Sequence, residues 1–205
     1  MASSKKSPYH LHSDEHLMRL VMEKDAKAFE ALYDRYARLL FNYFHRMLWK
    51  DREKAKDFTQ ELFSKIIQKS ELYNPERSFK TWLYSIAHNM CKNEYAKHEV
   101  RVDAHEQIRC SGNASQQEST SVTMDKASFK EDLALALSEL DAVKRTTFEL
   151  RFYQEMSVQE ISEAMECSEG TVKSRLFYTL KELNSKLKIY EHILKALLIL
   201  MNLLP

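Results

Sequence analysis

Glycine is nearly absent from this chain, with two residues in 205, and proline is almost as rare, with three. An all-β protein would need more of both for its turns, so the composition argues for helices. Cysteine is scarce as well. Cys91, Cys110 and Cys167 form no C-x-x-C pair and are odd in number, which argues against a disulfide framework and for the reducing cytoplasm. Neither sign of charge dominates: 31 Lys and Arg stand against 30 Asp and Glu, so any basic surface must be local. Long apolar runs are missing. No apolar h-region follows Lys5 and Lys6, so no signal peptide is expected. The apolar stretch YEHILKALLILMNLLP is interrupted by Lys195 and Asn202, far short of the roughly 18–20 residues of a membrane span.

What is present is helical periodicity. Hydrophobic content of 44% and charged content of 30% suit a soluble, helix-rich protein. Residues 14–48 carry one continuing pattern: Leu17, Leu20 and Val21, then Ala28, Phe29, Leu32, Tyr33 and Tyr36, then Leu39, Leu40 and Tyr43. Residues 53–70 place Phe58, Leu62, Phe63, Ile66 and Ile67 on one helical face. Pro75 breaks the pattern, since proline biases its predecessor away from helix. Residues 79–98 read as a long helix bearing Trp82, Leu83, Ile86, Ala87 and Met90. Residues 110–123, CSGNASQQESTSVT, have linker composition. A second periodic region follows with Leu133, Leu137, Leu140, Val143, Phe148, Leu150 and Phe152. The expected fold is all-α: a helical domain at 11–100, a flexible polar linker at 101–129, a second helical domain at 130–188 and an apolar helical tail at 189–205.

The stretch MSVQEISEAMECSEGTVKSRL (156–176) holds one of the two glycines. Ser157 and Glu160 form a capping box, with Met156 and Ile161 as a hydrophobic staple. Ser168 is placed to cap a second helix, with Thr171 in its first turn. This is a helix-turn-helix layout, with Ile161, Met165, Cys167, Val172 and Leu176 to pack its helices. Gly170 falls where the second helix enters, close to a neighbouring element or to a DNA backbone. Lys173, Ser174, Arg175 and Tyr178 share a face fit for the major groove. By spacing alone, a merely solvated basic face accounts for that face equally well.

Other stretches carry weaker signals. Asp57, Gln60 and Glu61 share a helix face beside Phe63, a polar rim with an aromatic that could serve surface or core. Residues 73–98 mix aromatics with bases, a composition suited to unpaired DNA. Trp82 reads as mostly core; Tyr73, Asn74 and Ser78 around Pro75 are better placed for a flipped base. Lys80 and Lys97 add charge, and Asn89, Lys92 and Asn93 would face duplex. His88, Cys91, His98 and His105 lack a closing metal-ligand spacing, so no metal site is expected. No pattern supports catalysis, a cofactor or a small-molecule substrate.

Three segments together resemble one family. DFTQELF (57–63), SFKTWLYSIAHN (78–89) and EISEAMECSEGTVKSRL (160–176) are similar, in order, to motifs of the extracytoplasmic-function (group four) sigma factors of the sigma-70 family. The resemblance implies a specialised sigma factor that binds core RNA polymerase and directs transcription initiation. It implies polymerase binding through Asp57, Gln60, Glu61 and Phe63. Downstream promoter DNA would meet Tyr73, Asn74, Ser78, Lys80, Trp82, Asn89, Lys92, Asn93 and Lys97. Upstream promoter duplex would meet Ser168, Gly170, Thr171, Lys173, Ser174, Arg175, Phe177 and Tyr178. An anti-sigma factor is the implied regulator, with membrane contact only through a partner. A free-standing dimeric helix-turn-helix regulator is the alternative, and it leaves the first two segments unexplained.

The chain also departs from the family pattern. Glu166 stands where glycine is common, so a differently shaped turn is expected there. Tyr178 stands where Arg is common, and Asn93-Glu94-Tyr95-Ala96-Lys97 is less basic than its counterpart. In the tail, Ile193, Leu194, Leu197, Leu198, Met201 and Leu204 form an apolar stripe, open to three fates: packing on the second domain, burial in a partner, or lying on a membrane surface.

Overall fold

A computed structural model describes residues 8–106 and 126–187. Among the described residues there are eight α-helices and no strand: α1 Asp14–Met22, α2 Ala26–Met47, α3 Arg52–Gln68, α4 Phe79–Glu106, α5 Lys126–Ser138, α6 Ala142–Phe152, α7 Val158–Ala164 and α8 Glu169–Lys186. Single 3-10 turns stand at Pro8–Leu11 and Ser70–Leu72. The linker segment 110–123 and the tail 189–205 lie outside the described residues.

The residues form two compact units. Among the described residues, one runs to Lys92 and includes Gln159–Cys167; the other comprises those from Asn93 to Val158 and from Ser168 to Leu187.

Short acidic or hydroxyl side chains start the helices of the first unit. Ser13 accepts from the His16 amide, Asp25 from those of Lys27 and Ala28, and Asp51 from that of Lys54. The start of α4 is capped from a distance as well, because the Glu15 carboxylate accepts from the Phe79 amide at 3.1 Å. The single helix expected across 14–48 is in fact two. Lys24 adopts a φ of 68°, and the amides of Lys24 and Asp25 bond back to the carbonyls of Val21 and Leu20, closing α1 in a Schellman motif. Asp25 then opens α2, so a stop and a start lie within three residues that apolar spacing passes over.

The core of this unit is built from rings. Tyr36 meets Phe79, Tyr43 meets both Phe44 and Tyr84, and Phe44 meets Phe58, all edge-on with centroids 5.4–5.5 Å apart. Leu17, Met18, Leu40, Met47 and Leu62 fill between them and are fully buried. Asp14 receives both the Arg35 guanidinium and the Tyr36 hydroxyl, and Arg35 also donates to the carbonyls of Tyr9, His10 and His12. Burial, and then the Asp14 carboxylate, pushes the Tyr36 hydroxyl far above the usual tyrosine range. Ile67, expected on the inner face of α3, is 53% exposed.

The second unit has an aliphatic core. Ala136, Leu137, Leu140, Phe148, Leu180, Leu183 and Leu187 cluster together, with Phe129, Leu133 and Phe152 against them. Asp141 caps α6 by accepting from the Lys144 amide at 2.8 Å. Val143, expected inward, is exposed on the first turn of α6.

Candidate nucleic-acid interface

The second helix of the helix-turn-helix layout begins where the sequence expects. Ser168 has extended backbone, its hydroxyl accepts from the Thr171 amide at 3.1 Å, and it lies 2.9 Å from the Thr171 hydroxyl. Helix α7 starts at Val158, directly after Ser157, with Met156 and Ile161 both fully buried. Met165, Val172 and Leu176 are buried too, and Cys167 is half-buried.

The turn between the helices corrects one expectation. Glu166 has a φ of 52°, so the left-handed residue is retained without glycine. The amides of Glu166 and Cys167 bond to the carbonyls of Glu163 and Ser162, which is again a Schellman closure. These bonds satisfy carbonyls left over at the end of α7, and they hold the turn in shape against a local cost of about 1 kcal/mol.

Gly170 is also decided by geometry. A Cβ placed there would meet only the Ser168 hydroxyl oxygen, at an ordinary 3.7 Å. Among the described residues, packing therefore does not require a glycine, and the expected close approach to a neighbouring element is not found. What the glycine leaves is open surface at the first turn of α8.

Around it lies a shallow groove of about 900 Å³, lined by Ser168, Gly170, Thr171, Ser174, Arg175 and Tyr178 together with Lys144, Lys181, Glu182 and Ser185. Phe177 and Tyr178 are 51% and 59% exposed, ring against ring at 5.4 Å, and Lys173 is exposed with Glu169 3.9 Å away. All eight residues expected to read duplex thus stand on the first three turns of α8 or at its cap, and none is fully buried. Lys181 and Ser185 continue the same face and could have been found by helical spacing. Lys144 could not, because it comes from α6.

The pairing there is charged. Lys144 lies 3.0 Å from Glu182 and 3.3 Å from Asp141; Lys186 lies 2.8 Å from Glu139 and 3.4 Å from Glu182. Bonding to Glu182 raises the Lys144 ammonium above its usual pKa, and the same bond lowers Glu182.

The residues expected to meet downstream DNA divide. Asn89, Lys92, Asn93 and Lys97 are exposed along α4, and Lys80 and Trp82 are half-buried. Tyr73 does not line a surface pocket. It is 3% exposed, packs on Phe79 and Trp82, and donates to the Arg77 carbonyl at 2.6 Å. Burial, with the Glu15 carboxylate next in effect, pushes its hydroxyl up to about 12. Its role is to staple from beneath the turn in which Asn74 accepts from the Glu76 amide. Ser78 accepts from the Thr81 amide at the start of α4.

The expected polymerase patch also divides. Asp57, Gln60 and Glu61 are exposed on α3, with Glu61 paired to Lys65 at 2.8 Å. Phe63 is not an exposed anchor: it is 4% exposed and packs against Phe29 and Tyr33. Helix position placed all four residues on α3 but could not say which way the ring turned.

Known proteins share this arrangement. The family model for Sigma-70 region 2 matches residues 32–101, and that for Sigma-70 region 4 matches residues 130–183. An ECF RNA polymerase sigma-E factor of Haemophilus influenzae is 29% identical over 184 residues, 86% of this chain and 96% of that protein. The ECF RNA polymerase sigma factor SigL of Mycobacterium tuberculosis is 30% identical over 167 residues, 80% of this chain and 91% of its own. Among solved structures, the sigma factor RpoE of Bartonella quintana, in complex with the anti-sigma factor NepR, superposes with a TM-score of 0.63 at 21% identity, covering 80% of this chain and 99% of that one.

Proposed function

The chain belongs to the extracytoplasmic-function sigma factors of the sigma-70 family, and from that premise we propose how its residues divide the work of directing transcription initiation. Residues 130–188 read the upstream promoter element as duplex, with α8 in the major groove. The observation that carries this reading is the open face of α8, where, among the described residues, a side chain at Gly170 would meet Ser168 alone. A helix entering a groove needs such room for close approach to a phosphate strand. Arg175 and Lys173 supply charge, and the exposed Phe177 and Tyr178 supply apolar contact to base edges.

Residues 11–100 hold core polymerase through Asp57, Gln60 and Glu61, and hold downstream promoter DNA along α4, where Asn89, Lys92 and Asn93 face duplex and Lys97 and the half-buried Trp82 serve the melted strand. Residues 101–129 join the two domains. The protein works in the cytoplasm beside polymerase and chromosome, without a catalytic site of its own. Among the described residues no helix is long and apolar enough to cross a membrane. An anti-sigma factor is the proposed regulator, as in the Bartonella complex.

Run-off transcription with purified core polymerase on genomic fragments tests the whole reading. The chain should confer initiation at a small set of sites. Gln60→Ala with Glu61→Ala should abolish it by loss of core binding at unchanged circular dichroism. Core binding that survives this double change would overturn the polymerase assignment.

A further inference from the structure

The groove beside α8 has one wall that the helix-turn-helix does not supply. Lys144, in the first turn of α6, is the lining residue that comes from another helix. Its ammonium is held in place by Glu182 at 3.0 Å and Asp141 at 3.3 Å. Glu182 is the one carboxylate among the groove-lining residues, and it stands one position from Lys181. About a third of each side chain is accessible, 33% for Lys144 and 31% for Glu182, so the pair is wet. Such solvent-accessible pairs contribute little to stability and can exchange for a better partner. A phosphate is a better partner for an ammonium, since it offers several charged acceptor oxygens.

We propose that Lys144 is a phosphate-contacting residue of the upstream duplex site, and that Glu182 sets the affinity of that site. Glu182 does so in two ways: it occupies Lys144 when DNA is absent, and it places a negative charge against the incoming strand. This rests on the reading of α8 as the duplex-binding helix. It adds to the site a second helix, α6, and an acidic residue that works against binding.

Phosphate contacts carry no sequence information, and they release counterions. The effect must therefore be uniform across sequences and dependent on salt. The test is fluorescence anisotropy of the full chain on a labelled mixed-sequence DNA duplex across a salt series. Lys144→Met should weaken binding roughly three- to tenfold at low salt and reduce the slope of log affinity against log salt by about 0.9. Lys144→Arg should keep the slope. Glu182→Gln should tighten binding about two- to fivefold, a gain that misfolding cannot imitate. In the double variant the gain from Glu182→Gln should shrink, because Lys144 is no longer there to be released and only Lys186, 3.4 Å from Glu182, remains. Duplex binding by the parent chain with an unchanged slope in Lys144→Met, or no tightening in Glu182→Gln, overturns the inference and leaves the duplex-binding reading standing. A parent chain without measurable duplex binding overturns both.

Discussion

Aromatic residues mean opposite things in the two units. In the first, Phe63, Tyr73, Phe79 and Tyr84 are all consumed by the core, edge against face, and none of these four leaves ring surface for a partner. In the second, leucines make the core while Phe177 and Tyr178 stand in the open on α8. The difference teaches that an aromatic beside polar residues does not by itself mark a contact surface. What decides is whether a second element arrives to cover it. Phe63 has Phe29 and Tyr33 of α2 against it, whereas the outer face of α8 lines an open groove.

The sharpest way to break this contrast is a pair of truncations. Phe63→Ala should cost about 3–5 kcal/mol in urea unfolding, the usual loss for a buried ring. Phe177→Ala should stay within about 0.5 kcal/mol while weakening duplex binding. Equal stability losses would show that the two rings have the same role after all.

Gly170→Ala sharpens the second half of the comparison. The added methyl has room and removes the backbone freedom of glycine, so melting should rise, by up to about 1 kcal/mol of stability. On the proposed reading of α8, duplex affinity should fall, because the same methyl stands on the face assigned to the DNA strand. A variant that is more stable and binds DNA as well as the parent would leave the glycine without a functional reason.

The helix ends give a smaller effect. Lys24, Trp49, Lys50, Glu155 and Glu166 all hold positive φ without being glycine. Glu166→Gly should therefore stabilise by about 0.5–1 kcal/mol in thermal unfolding, relief of strain less the added freedom of the unfolded chain. A destabilised variant would mean that the Glu166 side chain makes a contact worth more than the strain.

The smallest effect depends on pH. The Tyr9 hydroxyl, and then the Ala28 amide, hold the Asp25 carboxyl below its usual pKa. A lowered carboxylate contributes stability that is present above the unfolded value near 3.8 and is lost as pH falls through the folded one. Asp25→Asn should accordingly be less stable than the parent at pH 6, with the gap closing below about pH 4. A gap independent of pH would assign the effect to capping geometry alone.

Much of the fold was legible because its determinants are local. Ser168 is legible as a cap because it bonds an amide three positions on; Ser13, Asp25, Asp51 and Asp141 bond amides two to three positions on as well, but apolar spacing does not single them out. The break at Lys24 was missed because lysine carries no turn signal, and the left-handed turn is held by bonds to Leu20 and Val21. Within the candidate site, the α8 face followed from helical periodicity, and Lys181 and Ser185 lay on the same period. Tyr73 was misjudged because a proline loop reads as surface, although its ring turns inward to support that loop.

By itself, then, the sequence determined the all-helical class, several helix starts and the exposed face of α8, since each depends on neighbours within a turn or two. Tertiary structure alone decided which rings are buried, that among the described residues a side chain at Gly170 would meet Ser168 alone, and that Lys144 of α6 meets Glu182 of α8. Those outcomes depend on elements distant in the chain: 38 positions separate Lys144 from Glu182. No periodicity encodes which side chain will be waiting when two helices pack.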